Sequence, residues 1–117
     1  MSYTLGHRAL AADTHLIAVG GELDMGAAPD LREAIDRALE DGGLTLVVDL
    51  TEATFIDSTG IGVLMAGRQR LRLAGGSLEL VCSEPNLLRI FEIVGLDRQL
   101  AIYSSTDAAL AAFAGTR

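Results

Sequence analysis

The run Leu44-Thr45-Leu46-Val47-Val48-Asp49-Leu50, entered from Gly42-Gly43, decides the fold. It is nearly all apolar, the composition of a strand covered on both faces, and such strands sit at the centre of sheets flanked by helices. Both flanks agree. Upstream, Pro29 opens a pattern with Leu31, Ala34, Ile35, Ala38 and Leu39 on one stripe at helical spacing, which predicts a helix from about Pro29 to Glu40 that Gly42 and Gly43 stop. Downstream, a second helix is expected from Ser58 to about Ala74, with Ile61, Leu64, Met65 and Leu71 inward and Arg68, Gln69 and Arg72 outward, ended by Gly75 and Gly76.

The alternation continues to both ends of the chain. Ser77 to Cys82 reads as another buried strand, and Ser83-Glu84-Pro85 supplies a capping residue and a first-turn proline for a third helix that reaches Val94 and stops at Gly95. Leu100 to Tyr103 makes a last strand. Thr106 and Asp107 begin a short alanine-rich helix in which Leu110 and Phe113 are placed to reach the core. At the start, Tyr3 to Leu10 and His15 to Val19 are runs of β-formers separated by a turn around Asp13, an antiparallel pair. The predicted class is α/β: one small domain spanning residues 1–117, with a mixed, mostly parallel sheet of about five strands and four helices.

Composition narrows the function. A chain of 117 residues, half of them hydrophobic, holds one core and is too short for two. Its net charge is −7, with 16 acidic side chains against nine arginines, so direct nucleic-acid binding and anionic membranes are not expected. There is no lysine, which excludes a P-loop, a Schiff-base enzyme and any phosphate site built on an ammonium group. Cys82 is alone, so no internal disulfide or multi-cysteine metal site forms, and a reducing cytosol fits best. Met1 to Leu10 has no signal-peptide core and no run of 18 apolar residues occurs, so a cytoplasmic, unanchored protein is expected. Nothing in the sequence sets an oligomeric state.

After Leu50 the chain reads Thr51-Glu52-Ala53-Thr54-Phe55-Ile56-Asp57-Ser58-Thr59-Gly60-Ile61-Gly62. A loop is expected here, at the end of the central strand, and then a helix. Ser58 would lie at the helix N-terminus, where unpaired amides gather, with Gly60 and Gly62 removing bulk beside it. The plain structural account is that Asp57 or Ser58 caps the helix and the glycines let it pack closely on the sheet.

The segment Asp57-Ser58-Thr59-Gly60, followed by Ile61-Gly62, nevertheless resembles the phospho-acceptor signature of the STAS domain family, in particular of bacterial anti-sigma factor antagonists. Gly21-Glu22-Leu23-Asp24 is similar to that family's loop after its second strand, and Val47-Val48-Asp49-Leu50 to its central strand. Leu88 to Leu96 and the terminal helix match in order and spacing, so the resemblance runs from about Leu5 to Phe113. It implies a partner-switching regulator without enzymatic activity, cofactor or metal. The unphosphorylated chain would bind an anti-sigma factor that is also a serine kinase and so free a sigma factor. Phosphorylation of Ser58 would end the binding, and a separate serine phosphatase would restore it. Ser58 is then the acceptor, and Asp24, Asp57, Thr59, Gly60 and Gly62 form the partner-binding surface. The lesser reading of Asp24 is a solvated loop acid or a cap, and the motif match assigns the phosphate to Ser58 rather than Thr59, leaving Thr59 as a neighbouring first-turn residue. A STAS domain serving as a scaffold or transport-complex subunit, with no phosphorylation switch, is the alternative.

Other chemistries fit less well. A serine hydrolase needs a base beside Ser58, but the only histidines, His7 and His15, fall in the first hairpin, and Ile56 stands where the nucleophile motif has glycine. The two histidines could face one another across the hairpin, yet nothing completes a metal site, and exposed strand residues account for them. Gly60-Ile61-Gly62 lacks the third small residue of a dinucleotide turn, since Met65 occupies that place. A receiver-type phosphoacceptor domain requires a lysine that this chain does not have.

Overall fold

Strands and helices alternate as the spacing predicts, with glycine at the ends of three helices. The computed structural model describes residues 3–114. In chain order these form β1 (Tyr3–Ala9), β2 (Thr14–Leu23), α1 (Ala28–Glu40), β3 (Thr45–Ile56), α2 (Ser58–Leu73), β4 (Ser77–Val81), α3 (Pro85–Val94), a 3-10 turn (Leu96–Arg98), β5 (Ile102–Tyr103) and α4 (Thr106–Ala114). One five-stranded sheet runs in the order β1-β2-β3-β4-β5. The β1–β2 pair is antiparallel and the three other pairings are parallel.

The central strand shows why its sequence is apolar at consecutive positions. Leu46, Val48 and Leu50 enter the larger core with Leu31, Ile35, Leu64, Leu71, Leu87 and Phe91 of α1, α2 and α3. Val47 points the opposite way, into a smaller cluster with Leu16, Val81 and Ala109 of α4. The three longer helices thus cover one face and α4 covers part of the other. Leu110 is half-buried, and the expected inward placement of Phe113 lies outside the described side chains.

Three expectations change. The strand does not give way to a loop after Leu50: β3 continues to Ile56, because Thr51–Ile56 pairs with the end of β2 through two register shifts. Its burial does not alternate strictly: Ala53 and Ile56 are buried and each follows two exposed residues, as the register shifts require. Consequently Gly21-Glu22-Leu23 is strand and not loop, and the loop begins at Asp24. β5 is two residues long, since Leu96–Arg98 is taken up by the 3-10 turn and Leu100 is buried beside it. His15 is also not an exposed strand residue. It is 4% exposed, with Cδ2 lying where a side chain at Gly43 would go, and its Nδ1 is 2.8 Å from Nε2 of exposed His7.

Candidate functional site

β2 and β3 stay in parallel register to their last residues, Leu23 opposite Ile56. The next residue on each strand is an aspartate. Asp24 and Asp57 are therefore neighbours at the carboxyl ends of the two central strands, the edge at which parallel α/β sheets place their sites.

Asp57 joins the two chain segments. Its backbone is extended (φ −111°, ψ −176°), making it the N-cap of α2. Oδ1 accepts the Gly60 N–H at 3.0 Å, while Oδ2 accepts the Met25 N–H at 3.1 Å across the gap to the loop after β2. Its own N–H donates to the Leu23 carbonyl at 3.3 Å. The sequence left the cap between Asp57 and Ser58, and the structure assigns it to Asp57. Ser58 is the first residue of α2, exposed, and its hydroxyl makes no hydrogen bond to any described residue. Thr59 is likewise exposed.

Asp24 is neither solvated nor a surface acid, being 6% exposed. Its Oδ1 accepts the N–H groups of Gly26 at 2.9 Å and Ala27 at 3.1 Å, and its carbonyl accepts from Ala27 and Ala28. Asp24 thereby folds the loop back into α1, whose own N-cap, Ala27, has no side chain for the purpose. The second carboxylate oxygen, Oδ2, is buried and is the one such side-chain atom among the described residues without a hydrogen-bond partner. A buried acceptor left open costs about 1–3 kcal/mol.

The two glycines of the motif differ in role. Gly60 is buried, and a Cβ there would lie 2.7 Å from the Leu23 carbonyl oxygen and 2.9 Å from Leu23 Cγ. It cannot belong to a docking surface, as the sequence expected; it lets the helix start against the end of β2. Gly62 is exposed, and a Cβ there would meet nothing within 4 Å. In a helix interior such a glycine is about 1 kcal/mol worse than alanine.

Beside Ser58 the surface carries apolar groups that sequence reasoning missed. Met25 and Phe55 are 71% and 48% exposed. With Glu22, Asp24, Thr54 and Asp57 they line an open depression of about 630 Å³. The signal was present in the chain: Phe55 falls between the buried positions Ala53 and Ile56 of β3, and Met25 stands in a turn that needs no apolar residue.

A family model for the STAS domain matches residues 10–109. The chain belongs to the STAS domain family. An anti-sigma-B factor antagonist of Listeria monocytogenes is 40% identical over 80 residues, 68% of this chain and 70% of the relative. An anti-sigma-B factor antagonist of Bacillus subtilis is 34% identical over 89 residues, 76% of this chain and 81% of the relative. Among solved structures, an anti-sigma factor antagonist from Mycobacterium paratuberculosis superposes with a TM-score of 0.86 at 32% identity, covering 95% of this chain and 93% of the other.

Elsewhere in this STAS domain the reactive side chains are held by the fold. The Cys82 thiol is buried, which raises its pKa and leaves it the inert protonated form at neutral pH. The His7 imidazole has its pKa lowered, first by desolvation and then by His15. Among the described residues no group of three or more His, Cys, Asp or Glu side chains could hold a metal. Nor is any described helix long and apolar enough to cross a membrane.

Proposed function

We propose that this chain is a cytoplasmic anti-sigma factor antagonist that exerts its effect by binding, catalyses no reaction itself, and is switched at Ser58. The observation that carries the reading is the free, exposed Ser58 hydroxyl at the first position of α2, with the capping done by Asp57. The hydroxyl has no structural duty, and a partner can reach it. The names of the STAS relatives supply the kind of partner.

In the proposed cycle the unphosphorylated chain binds an anti-sigma factor serine kinase, which then releases its sigma factor. Ser58 Oγ attacks the γ-phosphorus of ATP held by the kinase. The new O–P bond forms as the bond to ADP breaks, and the hydroxyl proton passes to a base on the kinase. A serine phosphatase reverses the change by hydrolysis, returning the hydroxyl and inorganic phosphate.

The phosphate adds roughly −1.5 to −2 charge at neutral pH. Within the domain the helix N-terminus favours it by about 0.3–1 kcal/mol, and Asp57 opposes it with a carboxylate already engaged by two N–H groups. The fold therefore tolerates the group. At an interface, two charges about 6 Å from one opposing carboxylate cost about 1.4 kcal/mol at the dielectric of water and about 5 kcal/mol at an effective value near 20. That amounts to roughly tenfold to several-thousandfold in affinity.

Titrating the purified kinase with wild-type, Ser58→Ala and Ser58→Asp chains tests this. The alanine variant is expected to bind whether or not ATP is present, and the aspartate variant weakly. Mass spectrometry after incubation with kinase and ATP should place the phosphate on Ser58 and not Thr59. Equal affinity of the two variants, or phosphate elsewhere, refutes the switch.

A further inference from the structure

On the Ser58 side of α2, neither backbone conformation nor packing accounts for Gly62. It is absent from the glycines with left-handed backbone, which are Gly21, Gly42, Gly75 and Gly95. Nor is it there for packing. On the same helix, Gly60 is required by Leu23, and Gly67 by Ile35 Cδ1 at 2.9 Å and Leu78 Cδ1 at 3.2 Å, whereas a methyl group at Gly62 would stand in open space. Alanine would fit and would strengthen the helix, so the free chain gives up stability at this position.

The location supplies a reason. Gly62 follows Ser58 by four residues, so the two lie one above the other on the outward face, about 6 Å apart along the axis. Helical side chains lean toward the N-terminus and cover the turn before their own Cα. A side chain at position 62 would therefore lean over the approach to Ser58. A kinase must bring a γ-phosphorus to within about 3–3.5 Å of the Ser58 oxygen. Because Ser58 sits on a helix and not on a projecting loop, the kinase has to come down to the helix surface.

We propose that Gly62 keeps the Ser58 face of α2 bare so that backbone of the anti-sigma kinase lies directly against it. This rests on the reading of Ser58 as the acceptor. The occupant is marked at the neighbouring depression as well, where Met25 and Phe55 are exposed beside Asp57. One footprint then runs from Met25 and Phe55 across Ser58 to Gly62. It asks for an apolar contact at one end and a flat backbone contact at the other.

The test uses the full chain with Gly62→Ala and Gly62→Leu, its cognate kinase and ATP. Gly62→Ala should melt higher by about 4 °C, which rules out misfolding as the cause of any loss. Its affinity for the kinase and its rate of phosphate incorporation at limiting kinase should fall about tenfold, and those of Gly62→Leu about a hundredfold. A Gly62→Ala chain that melts higher but is bound and phosphorylated like wild type overturns the role of Gly62. If the wild-type chain takes up no phosphate at Ser58, the acceptor reading beneath it fails instead.

Discussion

Replacing Asp57 separates the two tasks that its carboxylate performs. Asp57→Ala removes the cap on the Gly60 N–H and the bridge to the Met25 N–H, at 3.0 and 3.1 Å. Loss of an N-cap costs typically about 1 kcal/mol. The exposed bridge adds about 0.5–1 kcal/mol, the low end for a hydrogen bond because water competes for the same groups. The total is about 1.5–2 kcal/mol. A chain of 117 residues has an unfolding entropy of about 0.25 kcal/mol/K, from roughly 2.1 cal/mol/K per residue, so the melting temperature should fall by about 6–8 °C. Asp57→Asn keeps an oxygen for Gly60 but turns an amide N–H₂ toward Met25, and should lose only the bridge, about 2–4 °C. Thermal unfolding followed by circular dichroism distinguishes the two, and hydrogen exchange at the Met25 amide should accelerate in both variants. If Asp57→Asn and Asp57→Ala melt together, or neither melts below wild type, the cap and bridge do not have the separate roles assigned to them.

Gly60→Ala should destabilise by about 1–3 kcal/mol, read from urea unfolding, because a methyl group would have to displace the Leu23 carbonyl 2.7 Å away. Glu79 is half-buried with a pKa raised chiefly by desolvation. Its protonated form favours the fold below the ordinary value of 4.5, and that contribution is lost as pH rises through the raised folded value. Glu79→Gln should therefore unfold at higher urea than wild type at pH 7, with the gap narrowing toward pH 4; no gap at pH 7 refutes it. The lowered pKa of His7, set by desolvation and then His15, with Asp41 opposing and Arg37 assisting, has the reverse sense. The folded state binds fewer protons there, so stability present above about pH 6.5 falls on acidification, and His7→Gln should flatten the melting profile between pH 7 and pH 5.

The layer order was legible because it rests on periodicity and punctuation. Pro29, Pro85 and the glycines near 42, 75 and 95 bound helices whose apolar stripes are unambiguous, and Leu44–Leu50 could hardly be anything but an interior strand. The start of α2 at Ser58 was legible because a short polar motif before an apolar stripe has few structural solutions, though the cap stayed open between Asp57 and Ser58. What escaped was decided by pairing between distant segments. Thr51–Ile56 is a strand only because Gly20–Leu23 pairs with it through two register shifts, and no local pattern announces that partner. The same pairing buries Asp24, which in isolation looks like any loop acid, and it turns Phe55 outward. His15 was misread for a similar reason, since its burial depends on Gly43 making room at the far end of α1.

For the proposed switch, the division of labour between Asp57 and Ser58 means that a phosphate can be added without removing the cap of α2. Had Ser58 been the N-cap, esterifying its hydroxyl would have disturbed the first turn of α2, and signalling would have been coupled to partial unfolding. With the cap assigned to Asp57 and both of its oxygens engaged, the hydroxyl proposed for modification stands one residue further on, exposed. Charge added there acts on whatever is docked and very little on the fold. The same separation appears along the helix: Gly60 serves the interior, while Gly62, four residues past Ser58, gives up helix stability on the outer face. Residues that hold the site and residues that present it alternate along a single turn, so the surface can change affinity while the sheet beneath it stays as it is.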